Sequence, residues 1–165
     1  MINETKLLPI ETIASADESA VLRLNNHHAE ELSWLEADRL SFLLGQAFYA
    51  RRIGTVEAFI MTFDQDADYD SPNFLWLKQR FPRFVYVDRV AVDEAARGRG
   101  HARRFYEDLF EQAKRTNHKL VTCEVNSEPP NPASDAFHAR LGFHEIGAAA
   151  IHGGKKTVRY FAREI

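Results

Sequence analysis

The sequence predicts an α/β protein in which a mixed β-sheet carries helices on both faces. Short apolar strands alternate with helices along the 165 residues. The strand Val85–Val92 is followed by an amphipathic helix and then by the strand Leu120–Asn126, so the two strands are expected to be parallel and joined by a right-handed crossover. Apolar segments on either side of Gly54 and of Gly153 indicate antiparallel hairpins, which make the sheet mixed.

The first half of the chain is predicted to contain three strands and two helices. In chain order these are a strand at Leu7–Ile13, helices at Ser19–Leu35 and Ala37–Ala47, and a hairpin of Phe48–Ile53 with Val56–Phe63. The segment Asp64–Pro82 that follows shows little periodicity. We expect it to be a long connection, and such loops are usually functional or mobile.

The helix after Val85–Val92 has the clearest pattern in the chain. Its apolar residues recur with the spacing of one buried helix face, at Ala102, Phe105, Tyr106, Leu109, Phe110 and Ala113. The next strand, Leu120–Asn126, alternates strictly, so Cys123 and its apolar neighbours are expected to face one way and Glu124 the other. The crossover therefore lays an apolar helix face on one side of the sheet.

A short helix and a hairpin are predicted to complete the fold. Asn131 is suited to be the N-cap of this helix, Pro132 fits its first turn, and Gly142 fits its C-terminal end. The segments His144–His152 and Lys155–Ala162 then form the final hairpin. This order of elements fits one domain over residues 1–165.

Composition excludes several classes of protein. The net charge is −3, which gives no basic field for nucleic acid, and no run of about 18 apolar residues is present to span a membrane. Met1–Lys6 lacks the basic and then apolar order of a secretory signal, so a cytoplasmic protein is expected. Cys123 is the single cysteine, which excludes an internal disulfide or a Cys-based zinc site, and no metal is expected.

The turn Arg97–Ala102 joins the strand Val85–Val92 to the amphipathic helix and contains two glycines. A Gly-rich turn that opens a helix directs unpaired backbone amides and the positive helix end toward one point, which favours phosphate. A dinucleotide-binding turn would need a third glycine where Arg103 stands, and the Gly-Lys-Ser/Thr of a P-loop is absent. A solvated turn whose arginines face water is the remaining simple interpretation.

Two motifs together resemble the GNAT superfamily of N-acetyltransferases. The residues Arg97-x-x-Gly100-x-Ala102 match its pyrophosphate-binding signature, R/Q-x-x-G-x-G/A. The segment Asn131–Phe143, which ends in Gly-Phe, is similar to its second signature. The resemblance extends from about Val56 to the end, and the chain as a whole looks like a small bacterial branch of predicted acetyltransferases.

The resemblance implies an acyl-CoA N-acyltransferase fold in which the two central strands splay apart and acetyl-CoA lies between them. Backbone groups of the first strand would bind the pantetheine arm, and the amides at the start of the helix would bind the pyrophosphate. The implied coenzyme-binding residues are Val90, Ala91, Val92, Arg97, Gly98, Arg99, Gly100, His101, Ala102, Arg103, Asn131, Ser134 and Phe137.

The resemblance also implies direct acetyl transfer to a primary amine in a ternary complex. An alkyl amine has a pKa of about 10, so a base must take its proton, and Glu124 and Asp88 are the candidates. The family usually has a tyrosine beside the departing sulfur, where this chain has His138. His138 is therefore the candidate acid, with water as the alternative.

The substitution of histidine for tyrosine keeps a second class of function open, a coenzyme A-binding module that has lost catalysis. The acceptor amine can be a small metabolite, an antibiotic, a peptide N-terminus or a protein lysine. Neither nucleic acid nor a membrane is expected as a partner. A homodimer is plausible from the resemblance, because the final hairpin often mediates pairing in this superfamily.

Overall fold

The computed structural model describes residues 7–165, which form one seven-stranded sheet with helices on both faces. Met1–Lys6, on which the expectation of no secretory signal rests, lie outside the described residues. The strands are β1 (Ile10–Thr12), β2 (Tyr49–Ile53), β3 (Ala58–Asp64), β4 (Val85–Val92), β5 (Leu120–Asn126), β6 (His144–Ile151) and β7 (Lys156–Glu164). The α-helices are α1 (Glu18–His27), α2 (Ala29–Leu32), α3 (Ala37–Gln46), α4 (Pro72–Lys78), α5 (His101–Arg115) and α6 (Pro132–Arg140).

The strand order is β1-β2-β3-β4-β5-β7-β6, and β4 and β5 are its parallel pair, as predicted. These two strands pair only where Val85, Tyr86 and Val87 lie beside Val121, Thr122 and Cys123. Beyond Val87 the strands diverge, although β4 still pairs with β3 on its other edge as far as Val92. The predicted splaying of the central strands is therefore confirmed, and it opens a gap in the middle of the sheet.

Each face of the sheet has its own hydrophobic core. On one face, the predicted apolar stripe of α5 packs on alternate residues of β4 and β5, including Cys123. On the other face, α1, α3 and α4 pack on the opposite side of the same strands through residues such as Val21, Leu40 and Phe74. The gap between β4 and β5 consequently lies between two packed hydrophobic layers.

Two predictions about helices are wrong. The supposed connection Asp64–Pro82 contains α4, which begins with Ser71 as N-cap and Pro72 in the first turn, the same signal that correctly predicts α6. The predicted single helix Ser19–Leu35 ends at His27 and is followed by the one-turn α2, because the backbone at His28 leaves the helical conformation. Both differences lie beside the gap in the sheet.

A β-bulge at Asp88 changes which residues of β4 share a face. Met61 of β3 pairs with Arg89 and Thr62 pairs with Val87, so Asp88 has no partner in the ladder. The sequence predicts that Asp88 shares a face with Tyr86, Val90 and Val92. This is wrong for Val90 and Val92, because the extra residue shifts the alternation after Asp88, whereas Asp88 binds Tyr69 on the face of Tyr86. Tyr86 packs against the core under α1, whereas Val90 and Val92 pack against the core under α5.

Candidate active site

A cleft of about 840 Å³ occupies the gap where β4 and β5 separate. Residues from α2, α4, α5, α6 and the β6–β7 hairpin complete its walls. Nine of the residues predicted for the site line this cleft, namely Asp88, Val90, Val92, Ala102, Glu124, Asn131, Ser134, Phe137 and His138. The cleft thus brings together Ala102 of the first motif, the start of the second motif and the candidate catalytic residues. The other predicted coenzyme-binding residues do not line it, namely Ala91, Arg97, Gly98, Arg99, Gly100, His101 and Arg103.

The turn before α5 has the backbone that an anion site requires. Gly98 and Gly100 have φ values of +80° and +78°, and no atom lies within 4 Å of the position where either residue would carry a Cβ. Arg104 donates its backbone amide to the carbonyl of Gly100, so the amides before it belong to the open first turn of α5. Two left-handed glycines with open space beside a helix N-terminus fit a pyrophosphate group.

The basic side chains of this turn differ in their surroundings. Arg97 is exposed, and it forms no ion pair with any residue in the range 7–165. Arg99 pairs with Glu57 at 3.2 Å, and Arg103 pairs with Glu107 one helical turn later. His101 is buried and its Nε2 lies 2.8 Å from Glu57. The imidazole therefore faces the β2–β3 turn, and only its backbone amide remains available for the predicted phosphate site.

The strand residues predicted to bind the pantetheine arm lie at the unpaired edge of β4. Val90, Ala91 and Val92 line a smaller cavity of about 180 Å³ together with Arg97 and residues of α2. Ala91 is almost fully buried and its side chain joins the core under α1, in contrast to its two neighbours. Its contribution to a ligand would therefore come from its main chain.

The start of α6 forms another wall of the cleft. The Asn131 side chain caps the helix by accepting the backbone amide of Ser134 at 3.1 Å, as the sequence predicts. Phe137 also lines the cleft and packs edge-on against Tyr106 of α5. The capping bond fixes the first turn of α6 and holds these side chains at the wall.

Glu124 is the candidate base whose pKa the site raises. It is half-buried on β5, on the face predicted by alternation, and accepts a hydrogen bond of 2.5 Å from the Tyr86 hydroxyl. Burial, followed by the negative charge of Asp88, raises the pKa of Glu124 to about 8. A carboxylate with this pKa is a much better proton acceptor than an ordinary glutamate.

Asp88, the other candidate base, is held by strong partners. One carboxylate oxygen accepts the Tyr69 hydroxyl at 2.9 Å, and the other pairs with the Arg89 guanidinium at 2.7 Å. Arg89 in turn donates to the Asn25 side chain at 2.9 Å, within the core beneath α1. Burial and the Asp88 charge also raise the pKa of Tyr69 above its usual range, which keeps its hydroxyl protonated.

His138 is buried at the opposite wall. Its Nδ1 lies 2.8 Å from the Ser134 carbonyl oxygen, and its Nε2 lies 3.0 Å from the Tyr106 hydroxyl. Burial lowers the pKa of His138, and the nearby Asp135 only partly opposes this shift. The imidazole is therefore neutral at pH 7.

Several residues of the site were not found by sequence reasoning. They are Asn25, Tyr69, Tyr86, Arg89 and Tyr106, which surround the candidate catalytic residues. Tyr86 and Tyr106 belong to correctly predicted elements, but the pattern shows them only as apolar core positions. The contacts that give them a polar role join residues far apart in the sequence, and no local signal predicts such contacts.

Among residues 7–165, no three His, Cys, Asp or Glu side chains are close enough together to hold a metal ion. No helix in the same range is sufficiently long and apolar to cross a lipid bilayer.

The chain belongs to the acetyltransferase (GNAT) family, whose model matches residues 10–143. It is 28% identical over 143 residues to mycothiol acetyltransferase of Gordonia bronchialis, a match that covers 84% of this chain and 44% of that protein. It is also 35% identical over 67 residues to L-2,4-diaminobutyric acid acetyltransferase of Wolinella succinogenes, which covers 41% of this chain and 39% of that protein. The chain thus matches less than half the length of these two relatives.

A solved structure supports the same fold. The structure of Arabidopsis thaliana NAA60 in complex with acetyl-CoA superposes with a TM-score of 0.72 and covers 96% of this chain and 98% of its own. The sequence identity is 13%, so this likeness concerns the fold alone.

Proposed function

We propose that the protein transfers the acetyl group of acetyl-CoA to a primary amine. The observation that carries this proposal is one continuous cleft with two chemically distinct ends. One end reaches the open first turn of α5, which suits a diphosphate, and the other holds Glu124, whose raised pKa suits it to accept a proton from an amine.

The residues present fit the coenzyme. The backbone amides from Gly98 to Arg103 would hold its pyrophosphate, with Arg97 as an additional positive charge. The main chain of Val90–Val92 would bind the pantetheine arm along the free edge of β4, and Asn131, Ser134 and Phe137 would form the other wall. When bound, acetyl-CoA supplies a thioester carbonyl as the acyl donor.

Glu124 is the proposed base. The ammonium form of the acceptor cannot attack, and its pKa of about 10 lies only about two units above that of Glu124, so the proton transfer is modestly uphill. Asp88 is the second candidate, but its two oxygens are already occupied by Tyr69 and Arg89. Asp88 also raises the pKa of Glu124 through its charge, which gives it a role in tuning the base.

The groups that serve the reacting carbonyl and the sulfur are proposed on the two walls of the gap. A backbone N–H in Val90–Val92 would polarise the carbonyl, as an oxyanion donor does. His138 of α6 is assigned to the side of the departing sulfur, where it lines the cleft with Tyr106. Under this proposal, proton acceptance and leaving-group stabilisation would lie on opposite sides of the cleft.

The acceptor is proposed to be a small amine. One relative is named for L-2,4-diaminobutyric acid, an amine of this size, which favours a metabolite over a protein lysine. A single domain over residues 1–165, a cytoplasmic location and a homodimer formed through the β6–β7 hairpin also remain proposals.

Calorimetry with coenzyme A and a thiol-release assay against a panel of amines test this function. We expect coenzyme binding, and thiol release that requires both acetyl-CoA and one class of amine. Binding without release for any amine would indicate a module that has lost catalysis. Absence of binding would contradict the proposed coenzyme site itself.

A further inference from the structure

Arg89 of β4 is a buried arginine whose charge the proposed reaction does not use. It is 7% exposed, yet it lines the cleft. Its Nε donates to Asp88 at 2.7 Å, and its Nη1 donates to Asn25 of α1 at 2.9 Å. Asn25 is itself fully buried and donates to the Ser33 carbonyl at 2.9 Å. These bonds hold the guanidinium in place before any ligand arrives, which lowers the cost of binding one.

The guanidinium retains N–H groups that the protein does not use. Asp88 and Asn25 take two of its five N–H groups, and the Tyr69 hydroxyl beside it has too few lone pairs to accept the other three. Nη2 makes no hydrogen bond of ordinary length to any of residues 7–165, and it is not sealed in the core. Because Arg89 lines the cleft, these donors are available to a ligand there. Such a group suits a planar anion.

Arg89 and Glu124 lie on the same face of the sheet at the gap. Arg89 reaches Asn25 of α1, and Glu124 accepts the hydroxyl of Tyr86, which packs in the core under α1. The two side chains belong to the neighbouring strands β4 and β5, and both line the cleft. Asp88 is close to both, since it bonds Arg89 and its charge acts on Glu124. A ligand with its amine at Glu124 can therefore reach Arg89 with a second group.

We propose that the acceptor amine carries a carboxylate and that Arg89 binds this carboxylate. The inference rests on the proposed function and narrows its acceptor from any small amine to an amino acid. The carboxylate would accept N–H bonds from the guanidinium, while the amine that is acetylated lies at Glu124. Arg89 would then determine specificity, because it contacts the acceptor but takes no part in the proton transfer.

The charges at this end of the cleft can accommodate an additional negative group. Lys156 of β7 lines the cleft, forms no ion pair within the described part of the chain, and acts on Glu124 through its charge. Glu124 is itself protonated at neutral pH, because its pKa is raised to about 8. Asp70 is paired with Arg39 at 2.6 Å, and Glu31 of α2 is exposed to solvent. A ligand carboxylate therefore meets an unpaired cation in addition to the guanidinium.

A carboxylate fits this position better than a phosphate or an amide. Asp88 is bonded to the same guanidinium, so a dianionic phosphate would meet about twice the repulsion that a carboxylate meets. A carboxamide has the same size and shape as a carboxylate but carries no charge, and its hydrogen bonds to Arg89 would be weaker. Comparison of an amino acid with its own carboxamide therefore isolates the proposed interaction.

Amino acids with different amine positions and their carboxamides test the inference. The panel is alanine, 2,4-diaminobutyric acid, ornithine and lysine, each with its amide. Calorimetry on the protein saturated with coenzyme A measures binding without turnover, at about pH 6, where Glu124 remains protonated. We expect the wild-type protein to bind at least one of these amino acids and to prefer it to its carboxamide by about tenfold or more. In Arg89→Lys most of this preference should be lost, because an ammonium group lacks the planar fork of donors.

Asp88→Asn is an opposing test that does not depend on the folding of Arg89→Lys. An asparagine oxygen can still accept the bond from Arg89, but it no longer neutralises the guanidinium charge. The preference for the amino acid should rise several-fold, a direction that a general loss of structure cannot produce. Arg52→Lys is the matched control, because Arg52 also bonds two carboxylates, those of Asp17 and Glu11, but does not line the cleft. It should leave the preference unchanged.

The outcomes separate this inference from the proposed function. The expected preference in binding, without thiol release from acetyl-CoA, supports the carboxylate site and contradicts the proposed transfer. Thiol release that is as fast with the carboxamides as with the amino acids supports the transfer and overturns the inference. A wild-type protein that binds none of the amino acids, or an Arg89→Lys variant that keeps the full preference, also overturns it.

Discussion

The two ends of the cleft are built in different ways. At the coenzyme end, the essential features are backbone dihedral angles and open amides within the short segment Arg97–Arg103. At the acceptor end, the features are side-chain contacts such as Tyr69 with Asp88 and Tyr86 with Glu124, which join residues 19 and 38 positions apart. A backbone site is encoded locally, whereas a side-chain network depends on the whole fold.

This difference predicts opposite sensitivities to mutation. The coenzyme end should tolerate many side-chain changes and respond to changes in backbone freedom. The acceptor end should respond to the removal of single functional atoms and to shifts of the elements that carry them. The following variants test that contrast, beginning with the largest expected effect.

Glu124→Gln should reduce kcat/KM by about 100-fold to 10,000-fold, the usual contribution of a general base. Because the base must be unprotonated, wild-type activity should rise with pH through an apparent pKa of about 8, and the variant should lose this rise. An acceptor amine with a pKa of about 10 or above stays mostly an ammonium ion across this range, so it needs the base and its own titration lies outside the window. Steady-state kinetics from pH 6 to about 9 measures the effect.

The control is Glu111→Gln on the exposed face of α5, where the carboxylate contacts only Lys114 among the described residues. It should leave the profile unchanged. An unaltered pH profile in Glu124→Gln would transfer the role of base to Asp88.

The free energy of unfolding gives a second readout. The folded protein holds a proton on Glu124 that the unfolded chain loses above about pH 4.5, so the stability of the wild-type protein should fall as the pH rises toward about 8. The Gln variant should not share this fall.

Gly100→Ala should weaken coenzyme A binding by at least about tenfold. Its φ of +78° costs an alanine about 1 kcal/mol or more, and the new methyl group enters the open space beside the amides. Gly154→Ala in the β6–β7 turn, at φ +84° and also in open space, carries the same strain away from this end. Equal losses of coenzyme affinity in both variants would show that strain alone is responsible.

Gly147→Ala should raise the KM for the amine several-fold and leave the Kd of coenzyme A unchanged. A Cβ at Gly147 would lie 2.6 Å from the ring of Trp76, which is stacked on Tyr160 and covered by Arg80, so the ring cannot move aside freely. The strain would displace α4, whose residue Asn73 lines the acceptor end and accepts the Tyr160 hydroxyl.

Gly45→Ala is the matched control for this prediction, because it adds a methyl group within α3 with no atom in reach. It should leave both constants unchanged and slightly raise the melting temperature. A changed Kd for coenzyme A in Gly147→Ala, rather than a changed KM for the amine, would mean that the two ends of the cleft are not mechanically independent.

The fold could be predicted largely from the sequence, since most of its elements carry their own signals. Apolar periodicity and end signals predict α5 and α6, and the strand–helix–strand order predicts the parallel β4–β5 pair. The failures have physical causes. α4 is short and its periodicity is hidden by surrounding acidic and aromatic residues, although Ser71-Pro72 marks its start.

Less of the candidate site could be predicted. Glu124 lies where strand alternation places it, but its raised pKa depends on burial and on Asp88 across the gap, which only the assembled sheet provides. The Tyr106 hydroxyl meets His138 because α5 and α6 pack on the same face, and each residue alone is an unremarkable core position. Long-range juxtapositions of this kind are set by packing.

The bulge at Asp88 has a consequence for chain length. Because β4 carries one residue more than the facing part of β3, deletion of Asp88 would restore a regular ladder and leave Arg89 opposite Met61 and Val90 opposite Ile60, on the sides of the sheet that they occupy now. The deletion would remove the carboxylate that binds Tyr69 and Arg89 without moving any side chain of β4 into the other hydrophobic layer. The extra residue therefore supplies an acidic group at the cleft while both hydrophobic layers keep the arrangement of a regular strand.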